Sequence, residues 1–335
     1  MIHHSAPNIG EAEVAAVERV LRSGCLAQGP EVAAFEAECA EALGRRHAVA
    51  VNSGTSALRL ALGALGVQPG GAVAAPSYAC ASLITAIHEQ GATPTLCDIG
   101  SDYTLDPGTV PEACRAAIVV HLFGAPARLP AGIPVIEDIA QSMGGTTGRT
   151  GPVATTSFYA TKLMTTGEGG MLLTDDDAIA EYARDRRDYD NRDDFVPRHN
   201  YKMTDMQAAL GRVQLARLPE FLARRREIAL EYNEAFANLP VTLPEPDGHV
   251  FFRYVIAAKE RDALESHLAC VGVEAKRPVH RPAHHYLGGD FPVSERAHTQ
   301  CLSLPVHPSL SPADARHVTE SVLRFFTASD REVTC

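Results

Sequence analysis

One lysine stands alone in the stretch SFYATKLMTTGEGGMLLT (157–174): Lys162, set among small, hydroxylated and glycine residues. An amine on a flexible stem condenses with an aldehyde only when deprotonated, and a packed, partly desolvated pocket lowers its pKa enough for that. Lys162 is therefore a candidate Schiff-base lysine, although the stretch taken alone also reads as a surface lysine on a glycine-rich turn. Asp138, in Glu137-Asp138-Ile139-Ala140-Gln141, is the second candidate. An aspartate at a strand end beside a cofactor ring can hold a pyridine nitrogen protonated, and the protonated ring is the electron sink that acidifies the α-proton of a bound amine. By itself, Asp138 reads as a turn cap. The third candidate is Ser53-Gly54-Thr55-Ser56, which follows a short apolar strand, HAVAVN (47–52), and opens a helix. Such a junction gathers free backbone N–H groups and the positive end of a helix dipole, which is a phosphate site in physical terms. An ordinary capped helix is the simpler account of that segment alone.

A scaffold must bring these groups together, and the spacing of apolar residues describes one. Helices are expected over about 11–22 and 31–43, with Gly24 and Gly44 as stops. Short apolar strands follow at 47–52, 72–75, 93–99, 117–122 and 134–137, with helical stretches after 53 and over 78–89, and a further strand at 171–174. That alternation implies a mostly parallel sheet covered on both faces, whose ligands collect at the carboxyl ends of the strands. Ser53 to Thr55, Tyr78, His121 and Asp138 all fall at or just past an expected strand end. Thr204-Asp205-Met206-Gln207 is a capping box opening a helix to about 218, and a second helix over 220–237 is expected beyond Pro219. A smaller unit follows: strand 250–257, helix 261–270, strand 272–277, and a last helix from Ser311 to about Phe326. The expected division is a large α/β domain over 1–235 and a small α+β domain over 236–335.

Composition narrows the function. With 335 residues, 45% hydrophobic and 21% charged, the chain is an ordinary globular protein of about two domains. A net charge of −11 argues against a nucleic-acid or anionic-membrane partner. No leader-like segment and no membrane-length apolar run is seen, so a cytoplasmic location is expected. Eight cysteines without a C-x-x-C pair fit reduced thiols better than a disulfide frame or a zinc site. The glycines at 145, 148 and 151 do not make the dinucleotide fingerprint, and no P-loop occurs. His280, His284 and His285 are close in sequence, but Pro282 interrupts a helical spacing and no carboxylate is regularly placed beside them, so no metal is expected. Arg184, Arg186, Arg187, Arg192 and Arg198 form a basic run that reads as a solvated face or as a contact for a nucleotide diphosphate.

The segments SGTSAL (53–58), AAPSYACASLITAI, CDIGSDYTLDP (97–107), VVHLFGAPA (119–127), VIEDIAQSMGG (135–145), SFYATKLMTTGEGG and HNYKMTDMQAALGRVQL (199–215), with FPVSERA and CLSLPVHPSL near the end, together resemble the DegT/DnrJ/StrS family of pyridoxal-phosphate (PLP) enzymes. The family is known for aminotransferases acting on keto sugars attached to nucleotides. The resemblance implies an aspartate-aminotransferase-like α/β fold, PLP fold type I. It also implies PLP held through Lys162, with Asp138 on the pyridine nitrogen and Gln141 near the ring hydroxyl. Gly54, Thr55 and Ser157 would take the phosphate, Tyr78 would stack on the ring, and Asn200 would reach the phosphate from a neighbouring subunit of a homodimer. The implied reaction is a ping-pong transfer from an amino acid, L-glutamate, to a keto sugar. Amination of a cyclitol ketone, a PLP-dependent sugar dehydratase and a PLP-binding regulatory protein are the alternatives; the dehydratases replace the lysine that this chain keeps. Two departures stand out: the family's G-x-N-x-R-M segment reads Arg198-His199-Asn200-Tyr201-Lys202-Met203, and Lys276-Arg277-Pro278-Val279-His280 replaces a segment that often carries an aromatic residue.

Overall fold

The computed structural model describes residues 1–327. Two amphipathic helices lead, α1 (Glu11–Ser23) and α2 (Pro30–Leu43), and each ends on a glycine, Gly24 or Gly44, with φ of 75° and 65°. That left-handed cap is nearly free of strain only for glycine. The chain then runs β1 (His47–Val51), α3 (Gly54–Ala64), β2 (Ala72–Pro76), α4 (Ser82–Glu89), β3 (Thr93–Cys97), β4 (Ala116–Val120), β5 (Val135–Asp138), β6 (Val153–Ser157), β7 (Gly170–Thr174) and α5 (Asp177–Arg186). The seven strands form one sheet in the order β1-β7-β6-β5-β4-β2-β3, and only β7 runs antiparallel to its neighbours. Apolar clusters cover both faces, one built on Leu58, Leu62, Ile87 and Ile118, the other on Phe35, Met143, Phe158 and Leu173. Burial on both sides explains why these strands read as short apolar runs rather than alternating ones.

Beyond the sheet, α6 (Asp205–Phe236) is one continuous helix of 32 residues. The break expected at Pro219 is absent. An interior proline costs about 3 kcal/mol, but the buried stripe continues through it, with Leu215, Leu218, Phe221, Ile228, Tyr232 and Phe236 all in the core, and tertiary burial overrides the local penalty. The second half of α6 packs in the C-terminal core with β8 (Tyr254–Ala257), α7 (Arg261–Cys270), β9 (Cys301–Leu304) and α10 (Pro312–Thr327). Two further helices, α8 (His284–Leu287) and α9 (Pro292–Gln300), precede β9. The expected strand over 272–277 is reduced to isolated bridges, Ile2 to Val273 and Lys276 to Ser303, so the N-terminus joins the small unit. The strand expected from 250 starts only at Tyr254, because Phe251 adopts a positive φ of 52°. Among the described cysteines six are free, while Cys270 is disulfide-bonded, which corrects the all-thiol reading at that position; Cys335 lies outside the described residues.

Candidate active site

A cavity of about 270 Å³ opens at the carboxyl ends of β1, β5 and β6. Its phosphate-sized corner is the start of α3. The Ser53 hydroxyl accepts from the Ser56 amide at 3.1 Å and the Ser53 carbonyl accepts from Ala57, so the Gly54 and Thr55 amides precede the first helical bonds and remain as donors. Close packing dictates glycine here. A Cβ on Gly54 would stand 2.8 Å from Ser157 Cβ at the end of β6, and one on Gly170 would meet the Ser53 carbonyl oxygen at 2.3 Å.

Asp138 ends β5 in a buried position, and one carboxylate oxygen accepts from the Ala140 amide at 3.0 Å. Burial pushes its pKa up, opposed by that hydrogen bond and by the charges of Lys162 and His121. Lys162 lies in the turn after β6, its Nζ 5.2 Å from the centroid of Phe252. Burial lowers its pKa below the usual 10.5; Asp138 and Cys80 oppose the shift and Arg253 adds to it. Desolvation is the largest contribution, so the neutral amine needed for condensation is favoured. Thr155, opposite Asp138 on β6, also lines the cavity, and its buried Oγ1 has no hydrogen-bond partner. A glycine-lined amide cradle, a buried carboxylate, a poised amine and an orphaned hydroxyl around one cavity fit a phosphorylated pyridine aldehyde. Gly54, Thr55 and Ser157 would hold its phosphate, and Asp138 its ring nitrogen.

Of the other residues singled out in the sequence, Gln141 lines the cavity, and its Oε1 accepts from the Phe123 amide at 2.7 Å. Tyr78 does not line it. The helix expected from 78 begins only at Ser82, so Tyr78 sits in the preceding turn and turns into the core, with no exposed surface, edge-on to Phe123 and its hydroxyl toward the Ala297 carbonyl. Stacking on a cofactor from this position is corrected; Cys80, two residues on, faces the cavity instead. Asn200 is exposed and outside the cavity of its own chain, its carbonyl accepting from the Asn52 side chain. His121 is structural: its Nε2 donates to Glu137 at 3.1 Å while its Nδ1 accepts from the Ala127 amide. The basic run is largely paired, Arg187 with Glu36 and Arg198 with Asp185 and Asp194. Sequence reading missed Cys80, Thr155, Tyr159 and Glu168, which also line the cavity. The β-branched run VATTS before the lysine stretch was the available signal for β6 and hence for Thr155.

The fold is that of a PLP enzyme of the aspartate-aminotransferase-like α/β class. The chain belongs to the DegT/DnrJ/EryC1/StrS aminotransferase family, whose profile matches residues 7–323. It is 37% identical to the dTDP-3-amino-3,4,6-trideoxy-alpha-D-glucose transaminase of Streptomyces venezuelae, over 92% of this chain and 90% of that one. Among solved structures it is similar to S. venezuelae DesV in complex with a ketimine intermediate (TM-score 0.90, 35% identity, 95% of each chain). It is also similar to the PLP-form of a putative sugar aminotransferase, Spr1654, from Streptococcus pneumoniae (TM-score 0.89, 25% identity, 96% of this chain and 97% of that one). The cofactor is pyridoxal 5′-phosphate and the enzyme a transaminase. Among the described residues, no helix is long and apolar enough to cross a membrane.

Proposed function

We propose that the enzyme moves an amino group from L-glutamate to a keto sugar carried on a nucleotide. The observation that carries this reading is the convergence of Lys162, Asp138 and the α3 N-terminus on one cavity; the Streptomyces relative, named for a dTDP-linked amino sugar, supplies the substrate class. Bound there, pyridoxal phosphate supplies the electron sink for the carbon that loses its proton. Asp138 would keep the ring nitrogen's proton in place, and the Gly54 and Thr55 amides with the Ser157 hydroxyl would hold the phosphate. Gln141, anchored by Phe123, takes up a position beside the ring. Lys162, its pKa lowered by burial, would move the donor's α-proton and, with the acceptor, return it. One site serving two substrates in turn gives ping-pong kinetics.

The same reading makes the enzyme a homodimer in which Asn200, exposed on its own chain, completes the partner's phosphate site. A cytoplasmic location is part of the same reading. The experiment is the visible absorbance of the purified protein before and after L-glutamate, followed by mass spectrometry of nucleotide-linked keto sugars offered as acceptors. A coloured band that fades with L-glutamate, and an aminated nucleotide sugar as product, are expected. A spectrum indifferent to added PLP and L-glutamate would overturn the assignment.

A further inference from the structure

Far from Lys162 in sequence, two histidines and a carboxylate meet outside the lysine cavity. His284 and His285 form the start of α8, and Glu295 lies in the first turn of α9. His284 Nε2 and His285 Nε2 stand 3.0 and 2.7 Å from the same carboxylate oxygen, Glu295 Oε2. One ligand atom from each of the three lies within 4.8 Å of the others, and none of these residues lines the lysine cavity. Two ligands about 2.1 Å from a zinc ion at a tetrahedral angle are about 3.4 Å apart. Side-chain shifts well under the width of an atom therefore open the trio around a cation.

The trio is braced as metal ligands are. His284 is buried, and its Nδ1 lies 2.5 Å from Ser77 Oγ, so the far nitrogen is engaged and Nε2 is aimed at Glu295. A hydrogen bond of that kind fixes ring orientation and tautomer in known metal sites. Beside it, the His285 ring stands 5.0 Å from that of His298, whose buried Nδ1 has no hydrogen-bond partner. The sequence concealed this arrangement because the carboxylate arrives from another helix, ten residues after His285.

We propose that His284, His285 and Glu295 form a structural site for a divalent transition metal of the zinc class. Two imidazoles and one carboxylate suit such an ion, with water to complete a tetrahedron. The start of α9 is already tied to the end of β3, since Asp98 accepts from the Val293 and Ser294 amides. What the ion adds is a clasp on α8 and on the glycine turn after it, where Gly288 and Gly289 have φ of 81° and 102°. Through Ser77 the clasp reaches the turn that carries Cys80 to the cofactor cavity.

The test uses untagged holoenzyme, stripped with a chelator and reloaded with Zn²⁺, beside His285→Ala and Glu295→Gln. Both substitutions fall on partly exposed side chains, so folding should survive. Expected are one zinc per wild-type chain retained through gel filtration, binding weakened at least tenfold in each variant by competition with a chromogenic chelator, and a zinc-dependent rise in Tm confined to the wild type. Ser77→Ala should weaken zinc binding without abolishing it, by the roughly 10–100-fold typical of residues that orient ligands. No zinc uptake by the wild type, or equal uptake by wild type and both variants, sinks the proposal and leaves a hydrogen-bonded clasp of histidines on Glu295.

Discussion

Asp138 and Thr155 are direct register partners on the adjacent strands β5 and β6. Partners in register emerge on the same face of a sheet, and both side chains line the cavity that holds Lys162. The Thr155 hydroxyl is buried without a partner in the protein, which costs about 1–3 kcal/mol unless a ligand satisfies it. Thr155→Val removes that hydroxyl while nearly keeping the shape. The apoenzyme's Tm should hold or rise, while PLP binding weakens by about fivefold, the value of one hydrogen bond. Fluorescence titration of apoenzyme with PLP reads the second effect; unchanged affinity would mean the hydroxyl faces no polar atom of the cofactor.

Two neighbours tune Lys162 in opposite directions. Its ammonium is favoured by the Phe252 ring, 5.2 Å away, and disfavoured by the charge of Arg253. Only the neutral amine captures an aldehyde, so the rate at which apoenzyme takes up PLP should climb with pH to a plateau reached below the ordinary lysine range. Phe252→Leu should move that limb to lower pH and Arg253→Gln to higher pH, each by roughly half a pH unit, from an interaction of about 0.5–1 kcal/mol. Stopped-flow absorbance across pH checks both. Shifts of the same sign would refute this account of the lysine.

The candidate site residues were legible because each sits at a break in an apolar pattern: Asp138 at the end of VIED, Ser53-Gly54-Thr55 where HAVAV stops, Lys162 in a turn before GMLLT. Strand ends in a parallel sheet are where ligands gather, and the structure brings these three candidates around one cavity. What periodicity does not encode is the direction of a side chain within a turn. Tyr78 and Cys80 lie in the same turn, and only the fold decides that the larger one enters the core and the smaller one the cavity. Pro219 was misleading for a related reason, since a local rule spoke against a helix that long-range burial holds together. The His284–His285–Glu295 trio was hidden because its members come from two helices with no periodic relation.

Glu137, next to Asp138 but on the opposite face, anchors the loop after β5. It accepts from the amides of Gly148, Thr150 and Gly151 and from His121, and these bonds outweigh burial to hold its pKa at about 2. The shift from an ordinary 4.5 corresponds to roughly 3 kcal/mol. A depressed carboxylate stabilises the fold fully above its unfolded pKa, and that stability is lost as pH falls toward the folded value. Glu137→Gln should therefore be less stable than wild type by about 2–3 kcal/mol at pH 7, with the gap unchanged down to about pH 5 and closing between about 4.5 and 2. Urea unfolding at a series of pH values measures it; a gap independent of pH would show that the charge contributes nothing.

Shared active sites leave a signature that no single variant gives. Asn200 is exposed and lies outside the cavity of its own chain, whereas Lys162 lines that cavity. If Asn200 serves the partner's phosphate site, Lys162→Ala and Asn200→Ala chains each fail alone for different reasons. In a mixed dimer, one site combines both defects and the other combines an intact Lys162 with an intact Asn200. Random reassociation makes about half of all dimers mixed, so activity should return to about one quarter of wild type. Unfolding and refolding the two variants together, then assaying turnover against each refolded alone, gives the answer. No recovery, with mixed dimers demonstrated by mass spectrometry, would place Asn200 in its own subunit's site or outside both sites, and the dimer would then be dispensable for completing the phosphate cradle.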